Sequence, residues 1–259
     1  MSLQVKTMAE WLAEGASPEI LFWVGSAGSF DDRAKKITRS FVKIMHKANV
    51  QFGVLGVEES ASGDIAKRAG NEFLFQMQAL MNIEILNSYQ VKRIVTTCPH
   101  DFNTIKNEYS GLGGNYDVLH HTQFIYELIH NKRLVLSGNL KGTKITYHDP
   151  CYLGRGNGVF NTPRKLLKII GLDLIEMKRS KERSLCCGAG GAQMFKEPEK
   201  GSKDINILRT EEALRTNVDL IATGCPFCNT MLTDGVKNLN EGAADVVDIA
   251  EIIVKSEKL

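Results

Sequence analysis

The feature that most constrains this 259-residue chain is that part of it reads twice. Ile94-Val95-Thr96-Thr97-Cys98-Pro99 lines up with Ile221-Ala222-Thr223-Gly224-Cys225-Pro226 at an offset of 127 positions. Asp117-Val118-Leu119 lines up with Asp245-Val246-Val247 at an offset of 128. Two separate segments at nearly the same offset mark an internal duplication, which limits the chain to folds that can be built from two like units.

Periodicity says what is duplicated. Apolar, β-rich runs at residues 20–25, 52–57 and 93–97 alternate with helical patterns. The helix over 31–48 places Ile37, Phe41 and Ile44 on one face, and a long helix over 65–88 places Phe73, Met77 and Leu80 on another. The order recurs as strand 144–149, helix 163–170, strand 172–177, helix 204–216 and strand 220–224. Pro99 and Pro226 each stand where a helix opens, since proline at the first helical turn forfeits no hydrogen bond. Alternation of this kind predicts βαβ units and parallel sheets. The expected fold is therefore α/β: two similar Rossmann-like halves related by a pseudo-twofold, each a mostly parallel sheet flanked by helices. The halves are placed at 1–140 and 141–259, joined near the polar segment Ser137-Gly138-Asn139-Leu140-Lys141-Gly142.

Composition narrows the function classes. Hydrophobic residues at 43%, charged residues at 24% and a formal net charge of +2 describe an ordinary globular chain. Lys and Arg are scattered among nearly as many Asp and Glu, so the basic stripe of a nucleic-acid binder is missing. The start, Met1-Ser2-Leu3-Gln4 followed by Glu10 and Glu14, lacks the form of a secretory signal. No apolar run reaches the roughly 20 residues of a transmembrane helix. The expected compartment is the cytoplasm, where cysteines serve metals or redox chemistry more often than structural disulfides.

Five of the six cysteines lie in the second half. Thirty-four residues separate Cys151 from the adjacent Cys186-Cys187 pair, and 37 more lead to Cys225-Pro226-Phe227-Cys228. Each cysteine follows a predicted strand, and in a parallel sheet those carboxyl ends share one crevice, so residues distant in sequence can converge there. Gly188, Gly190 and Gly191 let backbone N–H groups approach sulfur, and Pro226 opens a helix whose positive end favours thiolates. An iron–sulfur cluster suits such a set, because several metal atoms lie within reach of neighbouring sulfurs. Zinc competes, but it is satisfied by four ligands in a tetrahedron and would leave one cysteine spare. A thiol–disulfide couple at Cys186-Cys187 or in the CxxC would leave the remaining cysteines unexplained.

The segments His148-Asp149-Pro150-Cys151-Tyr152-Leu153-Gly154-Arg155, Leu185-Cys186-Cys187-Gly188-Ala189-Gly190-Gly191 and Gly224-Cys225-Pro226-Phe227-Cys228 resemble the cysteine-rich CCG domain. That family includes the B subunit of heterodisulfide reductase and iron–sulfur subunits of glycolate, lactate and glycerol-phosphate oxidation systems. The resemblance covers essentially the whole chain. It implies Cys151, Cys186, Cys187, Cys225 and Cys228 as ligands of a four-iron, non-cubane cluster, with zinc as the alternative. It also implies an electron-transfer subunit of a multiprotein oxidoreductase, served by a ferredoxin-type iron–sulfur protein or a flavoprotein dehydrogenase. A zinc-holding interaction module and a self-contained thiol oxidoreductase remain the other readings.

The first half departs from the family pattern. Ser26 stands in place of Cys151, Ser60-Ala61 falls near the cysteine pair, Cys98 matches Cys225, and Asp101 replaces Cys228. Serine and alanine do not replace thiolates for soft iron, so this pseudo-site is expected to hold no ordinary cluster. His148, three residues before Cys151, reads as a satisfied structural histidine or a hydrogen-bond donor to the cluster. His100 could join Asp101 around an adventitious metal, and His120 and His121 read as helix-capping or surface residues. The charged run Lys178-Arg179-Ser180-Lys181-Glu182-Arg183 reads as a solvated loop or a docking rim for an acidic redox partner. Gly111-Leu112-Gly113-Gly114 lacks the spacing of a dinucleotide fingerprint.

Overall fold

The computed structural model of the chain describes residues 4–197 and 201–259, so Met1-Ser2-Leu3 lies outside the described residues. The first half runs β1 (Lys6–Thr7), α1 (Met8–Ala13), β2 (Ile20–Trp23), α2 (Gly25–Phe30), α3 (Asp32–Lys47), β3 (Phe52–Val54), α4 (Asp64–Arg68), α5 (Glu72–Ser88), β4 (Arg93–Thr96), α6 (Pro99–Asn103), β5 (Asp117–His120) and α7 (His121–His130). The second runs β6 (Lys144–Tyr147), α8 (Asn161–Ile170), β7 (Asp173–Leu174), α9 (Ile205–Leu214), β8 (Leu220–Thr223), α10 (Pro226–Asn240), β9 (Asp245–Asp248) and α11 (Ile249–Glu257).

Every strand pair among the described residues is parallel. The sheets are ordered β1-β3-β2-β4-β5 and β7-β6-β8-β9. Without β1, an added edge strand, the two orders are the same, so the duplication read from the sequence is a duplication of topology. In each sheet the chain leaves one central strand, β2 or β6, towards opposite sides. Between β2 and β4, and between β6 and β8, there is therefore a switch point whose crevice opens at the strand carboxyl ends.

The strands alternate by face. Phe22 and Val95 turn inward, with Ile145, Tyr147 and Ala222 of the second sheet, to the largest core, which also takes Phe41, Phe124, Leu167 and Ile253. Leu21, Trp23 and Ile94 turn the other way, towards Phe75, Phe102 and Tyr109. Ile221 and Val246 likewise turn outward, to Met177 and Leu232. Helices α3, α7, α8 and α11 pack between the sheets, α3 on α11 and α7 on α8, so the two halves share one interior. Ile37, Phe41 and Ile44 of α3 are buried there as their spacing predicts, and the Asp31 carboxylate caps the helix by accepting from Ala34 N–H.

Two expectations need correction. The single helix over 65–88 is two, because Gly70 takes a left-handed φ of 85° after α4 and Asn71 caps α5 anew by accepting from Leu74 N–H. Within α5 the predicted stripe faces outward: Phe73, Met77 and Leu80 are 76%, 44% and 50% exposed, whereas Phe75, Ala79, Ile83 and Leu86 are buried. The helix is apolar on both sides, so spacing alone did not select the buried face. Among the described residues no helix is long and apolar enough to cross a membrane.

Candidate metal centre

The switch points place the chemistry. Ser26 follows β2 and Cys98 follows β4; Cys151 follows β6 and Cys225 follows β8. Cys225 is the extended residue that caps α10, Pro226 takes the first helical position, and Cys228 N–H points back at Cys225 Sγ at 3.5 Å. A helix opening with its N–H groups on sulfur favours negative charge there.

The cysteine pair reaches the same crevice from the loop after β7. Gly188, at φ 93°, turns its N–H onto Cys186 Sγ at 3.3 Å. The other two glycines do less than their sequence position suggests: Gly190 accepts a turn hydrogen bond from Gln193, and Gly191 supplies a left-handed turn. Neither is placed on a sulfur.

All five second-half cysteines come together. Cys187, Cys225 and Cys228 form a buried cluster with Ala189, backed by Met194, Phe227 and Met231. The thiols make a continuous chain in which Cys151 and Cys187 both engage Cys186, and Cys228 bridges Cys187 to Cys225. All six cysteines are free thiols. The Cys151 and Cys187 thiols hydrogen-bond to Cys186 and hold its pKa far below the usual range, with the Gly188 N–H assisting. Burial raises Cys225, but hydrogen bonds from Cys228 and His100 outweigh it and bring it to about 6. Cys151, Cys187 and Cys228 are pushed up, chiefly because their protons serve neighbouring sulfurs. Thiolate character therefore sits at two points of the chain, the state in which cysteine binds metal.

The first half contributes more than the sequence implies. His100, at the start of α6, lies between Tyr152 and Phe227, with ring centroids 4.8 and 5.2 Å away, and engages Cys225. Its Nδ1 pairs with Asp64 Oδ2 at 2.9 Å rather than with Asp101. Burial lowers the His100 pKa, but Asp64 and Cys225 outweigh it and lift the group to about 10. Asp101 instead accepts from Ser62 Oγ at 2.5 Å and contacts Cys98, and burial raises it to about 6. Burial, with the Asp101 and Cys225 charges beside it, pushes the Cys98 thiol up. Ser26, Ala61, Ser62, Asp64, His100 and Asp101 line a cavity of about 390 Å³ that ends on Phe227. The degenerate pseudo-site is thus a mostly apolar cavity, with Ile65, Ala66 and Leu74 on its wall beside the Asp64, His100 and Asp101 cluster.

His120 and His121 are not surface residues. Both are fully buried where β5 meets α7: His120 Nε2 lies 2.9 Å from the Gly224 carbonyl and His121 Nε2 lies 3.0 Å from Asp248. They join the halves beside the crevice. Sequence reading also missed Arg209 and Asn229. Asn229 follows Cys228 and is buried with both side-chain polar atoms unpartnered among the described residues, and His148 Nε2 is unpartnered too. A buried histidine whose Nε2 lacks a partner, beside the sulfurs of Cys187 and Cys228, fits a site completed by a metal–sulfur group.

Two doubly wound halves carrying thiols at a switch-point crevice define a duplicated α/β thiolate-site protein. The family model for the cysteine-rich CCG domain matches residues 20–106 and again 145–233, and the chain belongs to that family. It is 47% identical to "Probable iron-sulfur-binding oxidoreductase FadF" of Bacillus subtilis over 98% of this chain. It is 45% identical to "EtfAB:quinone oxidoreductase" of Syntrophomonas wolfei over 97% of this chain, and the match covers 36% of each of these two relatives. Similarity at 33% identity extends to a dihydromethanophenazine:CoB–CoM heterodisulfide reductase subunit of Methanosarcina barkeri, over 92% of this chain and 59% of that protein.

Proposed function

We propose that this chain is the iron–sulfur electron-transfer unit of a multiprotein oxidoreductase, with Cys151, Cys186, Cys187, Cys225 and Cys228 holding a four-iron cluster. The observation that carries this is the unbroken chain of five thiols at the second switch point, faced by an unpartnered imidazole nitrogen. Five sulfurs exceed what one zinc takes, and a multinuclear cluster uses them all. Iron–sulfur and oxidoreductase names among the relatives support the same assignment. The boundary between the two halves is placed near residue 140, in the segment tied down by Ser137 N–H on Glu257 at 2.9 Å.

The chain spans about a third of the length of the Bacillus and Syntrophomonas relatives, so donor and acceptor are proposals of their own. Electrons come from a flavoprotein or a ferredoxin-type iron–sulfur protein, and the EtfAB in one relative's name favours the former. The exposed run from Lys178 to Arg183, just before the cysteine pair, serves as the docking rim for an acidic partner.

Anaerobically purified protein should be brown, with about four iron and matching sulfide per chain. Cys187→Ser should cut reversible reductive bleaching at least about tenfold while far-UV circular dichroism stays that of the parent. A colourless protein carrying one zinc per chain, or a serine variant that takes up electrons like the parent, would overturn the assignment.

A further inference from the structure

His148 directly follows β6, and its N–H donates to the Ala222 carbonyl at 2.8 Å, so its ring is held at the rim of the crevice. Arg209, on α9 and fully buried, donates its Nε–H to His148 Nδ1 at 3.0 Å. The guanidinium is itself fixed by the Arg179 carbonyl at 2.8 Å, Glu212 Oε2 at 3.1 Å and Ser184 Oγ at 3.3 Å. A guanidinium only donates, so Nδ1 presents its lone pair and the ring proton resides on Nε2. Turning the ring over would set a carbon against the Arg209 N–H and leave a buried donor unpaired.

Nε2 has no partner among the described residues, and the sulfurs of Cys187 and Cys228 lie within 4.8 Å of a ring nitrogen of His148. With Nδ1 committed to Arg209, the nitrogen left for those sulfurs is Nε2. We propose that Arg209 fixes the tautomer of His148 so that Nε2–H donates a hydrogen bond to sulfur at the metal centre, and that this pair raises the reduction potential of the site. The proposal rests on the cluster reading above. A donor on sulfur stabilises the reduced, more negative state more than the oxidised one. The same tautomer removes His148 from the ligand set, although a histidine beside two cysteines resembles part of a zinc site. Both are positioning residues: Arg209 acts through His148, and His148 acts on sulfur.

Iron and sulfide content of the parent tests the cluster reading separately. Nitrogen-15 NMR of histidine-labelled, metal-free protein tests the tautomer without any cluster, and should show Nε2 protonated and Nδ1 bare. A proton on Nδ1 would overturn the proposal whatever the iron content. In reconstituted protein, His148→Leu and Arg209→Met should each shift the reduction equilibrium about tenfold downward, about 59 mV for a one-electron couple. His148→Gln, whose amide N–H reaches the place of Nε2–H, should keep the parent potential. A leucine variant with the parent potential, or a glutamine variant shifted as far as leucine, would overturn it. Should Arg209→Met fail to fold, the tautomer measurement and the His148 variants still decide.

Discussion

At the scale of single residues, acids beside the first-half pseudo-site make the fold sensitive to pH. Glu59 accepts from Val24 N–H at 3.0 Å and Gly25 N–H at 2.6 Å, pinning the turn after β2, where Gly25 sits at φ 77°. Burial raises its pKa to about 7 against the two backbone donors, and the nearby Asp101 charge adds to the rise. A folded pKa above the unfolded 4.5 means the native state holds the proton more tightly. Its contribution is full below pH 4.5 and is lost as pH rises through 7. Urea unfolding across that window should show the parent losing stability, and Glu59→Gln should lessen the loss by up to roughly 3 kcal/mol. Asp101, raised to about 6, acts with the same sign and is coupled to Glu59 by charge, so the difference between the two proteins reports Glu59 together with that coupling. A variant whose pH profile parallels the parent's would show that Glu59 titrates normally. Cysteine spacing made the sulfur set legible, since each cysteine follows a strand of a readable repeat. Arg209 was not legible: it sits in an ordinary-looking amphipathic helix and meets His148 only across 61 positions of sequence.

Among the elements, α5 separates what periodicity can and cannot say. Its length, its Asn71 cap and its apolar character are all readable, but the stripe through Phe73, Met77 and Leu80 faces solvent while Leu86 is buried. A helix with two apolar faces leaves the choice to tertiary packing. Met77→Ala and Leu80→Ala should each change unfolding free energy by less than about 0.5 kcal/mol. Leu86→Ala should cost about 2–5 kcal/mol, because it opens a cavity in the core of the first half. Denaturant titrations of the three variants check this, and comparable losses at Met77 and Leu86 would mean the helix is turned the other way. The break between α4 and α5 had a visible signal in Gly70-Asn71, a turn residue followed by a helix cap, which the apolar pattern on either side obscured.

On the scale of the whole molecule, one interior serves both sheets: Phe22, Phe41 and Phe124 pack in the same cluster as Leu166, Leu167 and Ile253. His120 and His121 add buried contacts to Gly224 and Asp248 across the same boundary. Unfolding should therefore be a single transition, with near- and far-ultraviolet dichroism coincident and no separate melting of either half. Residues 141–259 expressed alone should remain unfolded or aggregate, and a folded, cooperatively melting fragment would refute the shared-core account. The repeat made two like units readable from the sequence; nothing in the sequence said that they would fuse their cores. His100 belongs to the half that has no thiolate set, yet its ring stands between Tyr152 and Phe227 and reaches Cys225 in the other. The chain is in effect a heterodimer written as one polypeptide, with sulfur assigned to one partner and the imidazole–carboxylate pair to the other. Duplication here has ended in a division of labour, so the cysteine-bearing unit cannot be lifted out and studied as a smaller version of the whole.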